Sequence, residues 1–471
     1  MLKVKSKVWL LPAILFFSLN CSQKNQSSVV ASVGDKKITL SEFRDMYQFN
    51  PSLAGIKSDV AAKRLLLQSL IAEKLLATAA VTHGLADQPK TKAWFEEFKR
   101  EALIEKLWQD SIFSKIQISQ NELLEAYRQS KQKRVVQYFL YDDSTQAALD
   151  YSRLRGAMTF TELARLKGFS LKTIPQDTIL SDTRLPSIRP QVYRMKINEV
   201  SSPIKEGRYY FILKLTNILT NVFQSQDDFE QQQSKLAKTI RLRKSARKFA
   251  EYKQRHFKTA PYTLDKEIFK KMVRAMDSYL FSSGRVKPKG NRLGIDLEKN
   301  ASLGNMAQEA VVHFNDGRVW TVKELLRRAE VAPYPIEFKA RGEFRLSILA
   351  AVKHVLDDEA LAQEALRLGL GKTAYVRNQR QMWSDYLLYE LEKSKISQKK
   401  KTAAAKSKAF LRELSALVKQ HDIHINHAIL DTLSVSRANM FVFKTHFPER
   451  TIVPALKIMA LPDSMGIFHK K

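Results

Sequence analysis

The rare side chains of this 471-residue sequence, nine histidines and one cysteine, are the first place to look for chemistry. His421, His424 and His427 recur at three-residue steps, a spacing that could bring two imidazoles onto one helix face as metal ligands. Within HDIHINHAIL the IHIN segment reads instead as a short strand, whose side chains point to different sides, and no cysteine or acidic cluster completes a coordination shell. No metal and no other cofactor is expected. Cys21, the single cysteine, has no intrachain disulfide partner, so stability must come from packed helices and sheet. There is no nucleophile elbow for Ser/His/Asp catalysis and no glycine-rich loop to cradle a phosphate, hence no ATP site. What remains is non-covalent: apolar and aromatic groups that grip, and basic groups that attract.

The formal charge of +31 raises nucleic acid as a partner. The basic residues are spread along helical stretches without a compact reader motif, so nucleic acid is not the expected partner. Anionic lipid, acidic segments of other polypeptides, or a merely solvating basic surface fit better. With 44% apolar residues the chain can bury the cores of two or three domains.

Met1 to Asn20 has a basic start (Lys3, Lys5, Lys7) and a short apolar run from Val8 to Phe17. That run is too short for a bilayer crossing and reads as a secretory signal peptide, so the chain is expected to be exported. Cys21 directly after it resembles the lipobox cysteine of bacterial lipoproteins, which implies lipidation at Cys21 and a membrane anchor. Ser18-Leu19-Asn20 departs from the usual lipobox residues, and a non-lipidated signal peptide or a retained anchor stays open. Ser22 to Ser28 is a polar tether.

One stretch occurs twice. VVASVGDKKITLSEF, Val29 to Phe43, reads as strand, turn at Gly34-Asp35, short strand and a helix opened by Ser41. AVVHFNDGRVWTVKEL, Ala310 to Leu325, echoes it. Each is followed by an amphipathic helix, Arg64 to Ala86 and Arg345 to Gly371, ending at Gly84-Leu85 and Gly369-Leu370. A further helix follows in each case, Phe95 to Ile112 and Gln381 to Lys393. We read a diverged internal duplication.

Between Lys131 and Ile218 the texture becomes mixed. RVVQYFLYDD alternates as a strand, Ser144 to Leu154 is helical, Gly156 breaks it, Phe160 opens another helical turn, and Tyr209 to Leu215 is a returning strand. This order resembles the parvulin (PpiC-type) peptidyl-prolyl isomerase domain. The residues that carry the likeness are Tyr138-Phe139-Leu140, Gly156 with Phe160, Leu163 and Ala164, Asn198 to Pro203, and Tyr209 to Lys214. The flanking VGDKKITLSEF and the helix ending at His83-Gly84-Leu85 resemble the chaperone region of SurA, PpiD and PrsA-type foldases.

The resemblance implies an α+β fold, predominantly α: a helical SurA-like module, duplicated, with one small parvulin-like α/β domain inserted in the first copy. Expected domains are a signal peptide (1–20), tether (21–28), N-terminal module (29–130), parvulin-like domain (131–220), closing helices of the first module (221–280), linker (281–307), second module (308–433) and a C-terminal segment (434–471) without assigned structure. The two histidines that parvulins place in the floor of the active site fall here on Tyr138 and Phe211, and no histidine occurs between His83 and His256. No catalytic residue is therefore named. Tyr138, Phe160, Tyr210 and Phe211 are the expected lining of a peptide-binding groove. The implied function is a periplasmic, lipid-anchored chaperone for unfolded or nascent envelope and secreted polypeptides, with a degenerate isomerase centre. An active isomerase with a rearranged pocket and a structural envelope lipoprotein are the alternatives.

Overall fold

The computed structural model describes residues 29–468 apart from 184, 221–225, 258, 283–299, 339, 399, 434–436, 438–441, 443, 448 and 449. The expected signal peptide, Cys21, the expected tether and most of the expected linker lie outside the described residues. The fold is α+β and predominantly α. Two compact units form, one from residues up to Lys106 with those from Pro261 onward, the other from Leu107 to Ala260.

The first unit contains both copies of the repeat. Copy one comprises β1 (Val29–Val33), β2 (Lys36–Thr39), α1 (Leu40–Phe49), α2 (Asp59–Thr82) and the start of α3 (Pro89–Ser111). The second unit contains α4 (Gln120–Ser130), β3 (Gln132–Tyr141), α5 (Ser144–Arg155), α6 (Phe160–Leu166), β4 (Gln176–Ile179), α7 (Ile188–Val192), β5 (Ile204–Glu206), β6 (Tyr209–Thr220) and α8 (Gln226–His256). The first unit resumes with β7 (Tyr262–Leu264), α9 (Lys266–Ser282) and α10 (Ala301–Asn305). Copy two follows as β8 (Ala310–Phe314), β9 (Val319–Thr321), α11 (Val322–Val331), α12 (Arg341–Arg367) and α13 (Ala374–Ser397). The last elements are α14 (Ala403–Gln420), β10 (Ile423–Ile425) and α15 (His427–Thr432).

The copies match in local detail. Thr39 and Thr321 are the N-caps of α1 and α11, accepting from the amides of Glu42 and Glu324. Thr39, with an extended backbone, thus takes the capping role expected of Ser41, which is already inside the helix. Gly84 and Gly369, with φ of 72° and 76°, turn the chain out of α2 and α12 in the left-handed conformation that glycine adopts without strain.

Each hairpin is completed by the other copy's end of the chain. The strand orders are β10-β1-β2 and β7-β8-β9. Ala31 faces Ile425 and Leu264 faces Val312 in antiparallel register, extended by Asn426 N–H to Val30 O at 2.8 Å and Asp265 N–H to Val311 O at 2.9 Å. This corrects the expectation that 221–280 closes the first module. β7 and α9 close the second copy, where Phe269, Met272 and Met276 share a core with Val311, Leu325 and Phe344. The first copy is closed by α14 and β10, with Leu414, Leu417 and Ile423 packed on Phe43, Leu66 and Leu70. α8 belongs to the other unit. There Phe229 packs with Leu123 and Tyr127 of α4. Residues beyond 450, unassigned from sequence, also join the first core through Val453, Leu456, Leu461 and Ile467. Asn50 donates to Leu456 O at 2.8 Å and Met459 N–H to Ser69 Oγ at 3.0 Å.

α2 is long and apolar enough to cross a membrane, yet most of it is buried within this unit. Lys74, on that helix, is fully buried. Its ammonium lies 2.5 Å from Glu42, 3.0 Å from Asp385 of α13 and 3.2 Å from Glu73. Burial opposes the charge, but the attraction of Asp385 and Glu42, joined by Glu73 once it ionises, outweighs it and holds Lys74 protonated. Burial pushes the Glu73 carboxyl up to about 8, against the pull of Lys74.

Folded Glu73 retains its proton between the ordinary glutamate range and about pH 8, whereas the unfolded chain releases it. The folded state thus binds more protons in that window, and this group makes stability fall as pH rises through it. Glu73→Gln is expected to flatten the fall and to be the more stable chain above pH 8 by roughly 1–3 kcal/mol. Denaturant titrations of both chains across that window check this.

Candidate peptide-binding site

The second unit is built on a four-stranded antiparallel sheet of order β4-β3-β6-β5. β3 and β6 pair along their length, with Tyr138 opposite Leu213 and Leu140 opposite Phe211. Because side chains alternate along a strand, the aromatic run Tyr209-Tyr210-Phe211 must split between the two faces.

On one face Val136, Ile179, Leu213, Leu215 and Ile204 form a core with Ile188 and Val192 of α7. Glu206 holds α7 there, accepting hydrogen bonds from the amides of Ser187 and Ile188 at 2.7 and 3.2 Å. Tyr138 and Phe211 are only half-buried against this core, their ring centroids 6.1 Å apart. Phe211 stands between Leu140 and Ile204 in register, so one apolar row crosses three strands, and its outer member Leu140 is 52% exposed. Asp177, opposite Val136 in register, sets an exposed carboxylate at the edge of the same face. Sequence reasoning missed Asp177, although its place in a β4 strand beside an apolar residue was open to a period-two reading.

On the other face Phe160, at the start of α6, stacks on Phe139 with centroids 4.4 Å apart and is buried. Thr159 and Glu162 form a capping box that fixes this helix start. Tyr210 packs at the edge of the same cluster. The four aromatic residues expected to line one groove therefore divide: Tyr138 and Phe211 share a face, while Phe160 and Tyr210 belong to the opposite one. Asp150, also on that opposite side, is buried and accepts from Tyr141 Oη at 3.1 Å, Lys167 Nζ at 2.7 Å and Arg153 at 3.0 Å. Burial alone would raise its pKa, but the bonds from Lys167 and Tyr141 and the Lys167 charge bring it below the usual carboxylate range.

The unit also holds a cleft of about 560 Å³ between α4, α7 and α8, lined by Tyr193, by the cations Arg189, Arg194, Arg243 and Lys244, and by the carboxylates Glu122 and Glu125. Lys244 reaches Glu122 at 2.7 Å and Arg243 donates to Ser181 O. Burial lowers the pKa of both Arg189 and Arg243, a mark of cations held partly away from water.

No family model matches the chain. It is 24% identical over 263 residues to the foldase protein PrsA of Caldanaerobacter subterraneus subsp. tengcongensis, covering 47% of this chain and 85% of that protein. It is 27% identical over 214 residues to foldase protein PrsA 2 of Bacillus anthracis, covering 42% of this chain and 71% of that one. Over this part of its length the chain is similar to PrsA foldases. A putative peptidyl-prolyl cis-trans isomerase of Helicobacter pylori is 30% identical over 115 residues, 24% of this chain and 38% of that protein. The solved structure of a SurA-like chaperone of Campylobacter jejuni aligns at 18% identity over 50% of this chain and 98% of its own length, with a TM-score of 0.22.

The half-buried Tyr138 and Phe211 leave part of the α7 face of the sheet apolar and accessible, with Asp177 as a carboxylate placed on that face by strand register. Such a surface can desolvate an extended segment. No histidine lies between His83 and His256, so it offers no imidazole to hold the X-Pro amide.

Asp150→Asn keeps the shape of the opposite cluster and removes its charge. The loss expected at neutral pH is roughly 2–4 kcal/mol. Since Asp150 stabilises the fold only when ionised, the two chains should converge as pH falls below the ordinary aspartate range. Thermal melts of both chains at neutral and acid pH test the sign and the size.

Proposed function

We propose that the chain is an exported chaperone-type foldase, anchored through lipid on Cys21, that holds unfolded envelope or secreted polypeptides. Its parvulin-like domain serves as a client-binding surface whose isomerase centre is degenerate. The observation that carries this reading is the apolar row Leu140, Phe211 and Ile204 with Tyr138 beside it. Tyr138 and Phe211 stand where the resemblance to parvulins places histidines.

Rotation about an X-Pro bond breaks no covalent bond, and its barrier of roughly 18–20 kcal/mol is lowered by desolvating the amide and favouring its twisted state. An apolar face alone supplies the desolvation and little of the preference for the twisted state. Relatives named as foldases and as a putative isomerase support the class. The cationic cleft and a charge of +31 suit acidic client segments, and exposed Leu346 and Leu349, one turn apart on α12, add apolar surface of the kind an unfolded chain contacts. Binding of this kind is weak at each point and multivalent, which lets clients leave without nucleotide hydrolysis.

An active isomerase is the second reading, favoured by Asp177 at the edge of the face. The two are separated by assaying cis-to-trans isomerisation of a panel of X-Pro peptides and aggregation of several unrelated unfolded proteins. The chain is compared with its Tyr138→Ala, Phe211→Ala double variant. The expected result is isomerisation at the uncatalysed rate, salt-sensitive suppression of aggregation, and a several-fold weaker suppression by the variant. Catalysis that the double variant loses would establish the second reading instead.

A further inference from the structure

The two copies of the repeat carry opposite charges at equivalent buried positions, and those positions meet each other. Lys74 stands ten residues before the helix-ending Gly84, and Glu359 stands ten before the equivalent Gly369. Arg100 and Asp385 each lie sixteen residues after the same glycines. Copy one thus presents two cations, and copy two presents two anions at the same two places. Lys74 lies 3.0 Å from Asp385, and Arg100 lies 3.9 Å from Glu359. The pair recurs with its polarity reversed. All four residues are buried.

Neighbouring groups act in both directions: Lys36 adds a cation to the copy-one side, while the groups from within each copy partly offset its own charge. Lys36 of copy one reaches across to Asp385 at 2.5 Å. Arg318 and Arg328 of copy two add to the cations around Glu359. Glu42 and Glu73 flank Lys74, and Glu97 bonds Arg100, each from within copy one.

We propose that these inverted pairs are a pairing code that makes each copy accept the other and reject its own kind. The closing elements make such a code necessary. Each hairpin takes its third strand from the far end of the other copy's segment, so a second molecule could offer the same strand and the same helical face. If copy one of one chain met copy one of another, Lys74 would face Arg100 at both seams. If copy two met copy two, Glu359 would face Asp385. Like charges brought together out of water repel strongly, and a specific interface needs such a penalty against wrong partners as well as attraction to the right one. The surface therefore fits the opposite copy of the repeat and excludes a like copy from a second chain.

Every like-with-like seam uses one residue from each native pair, so neutralising a single pair removes the penalty everywhere. The test is the double variant Lys74→Met, Asp385→Leu, which removes both charges of the pair while leaving their other partners, Glu42 and Lys36, in place. Isotope-labelled and unlabelled full chains are mixed in denaturant, refolded in dilute and concentrated solution, sized by light scattering and mapped by chemical cross-linking. The native chain is expected to refold without cross-links between like copies of different molecules. The double variant is expected to give concentration-dependent dimers in which copy one is linked to copy one. A second double variant, Arg100→Met, Glu359→Gln, lifts the same repulsions from the other seam and must give the same result, which keeps the test open if the first fails to refold. Variants that refold as free of like-copy links as the native chain would overturn the proposal, and so would oligomers linked only between unlike copies.

Discussion

The arrangement of the larger unit depends on one unmet hydrogen-bonding need. A two-stranded hairpin leaves an open edge of amides and carbonyls, and β1-β2 and β8-β9 each satisfy that edge with a strand that lies beyond the other copy in the chain. From this exchange follows the mixing of the two cores. Leu414 and Ile423 pack with Phe43 in one, and Met272 and Met276 pack with Val311 in the other. The exchange also brings α13 against α2, so that a lysine with no access to water can be neutralised by Asp385.

Local signals for this fold were legible and the long-range one was not. The left-handed glycines 84 and 369, the threonine caps and the alternating residues of β3 and β6 are written in short stretches, where backbone preference and side-chain period act alone. Which hairpin β7 or β10 would complete is not written locally, because both are three-residue strands and either open edge offers the same groups. The assignment of 221–280 to the first module failed for that reason. Residues 450–468 lack a clean period and gain their structure by packing against α2, which the sequence alone does not announce.

The candidate site shows the same division. The two long strands and the places of Tyr138 and Phe211 in them could be read from sequence, β4 and β5 could not, and the structure sets the two rings on one face. Grouping Phe160 and Tyr210 with them overlooked a rule already in hand, since adjacent residues 210 and 211 of one strand cannot share a face. The two sides of the sheet have been put to different uses. One keeps Asp150 within a full set of hydrogen-bond donors, and the other leaves Tyr138 and Leu140 in contact with water.

The pairing of β1 with β10 joins residues near 30 to residues near 424, almost the length of the chain apart. Loop closure over such a distance must precede its reward, so this sheet is among the last parts able to form. A chain emerging from its N-terminus exposes the bare edge of β1 until residues 423–425 have appeared. The hairpin of copy one is then completed only after copy two has been made, and for that interval it is itself an open strand edge.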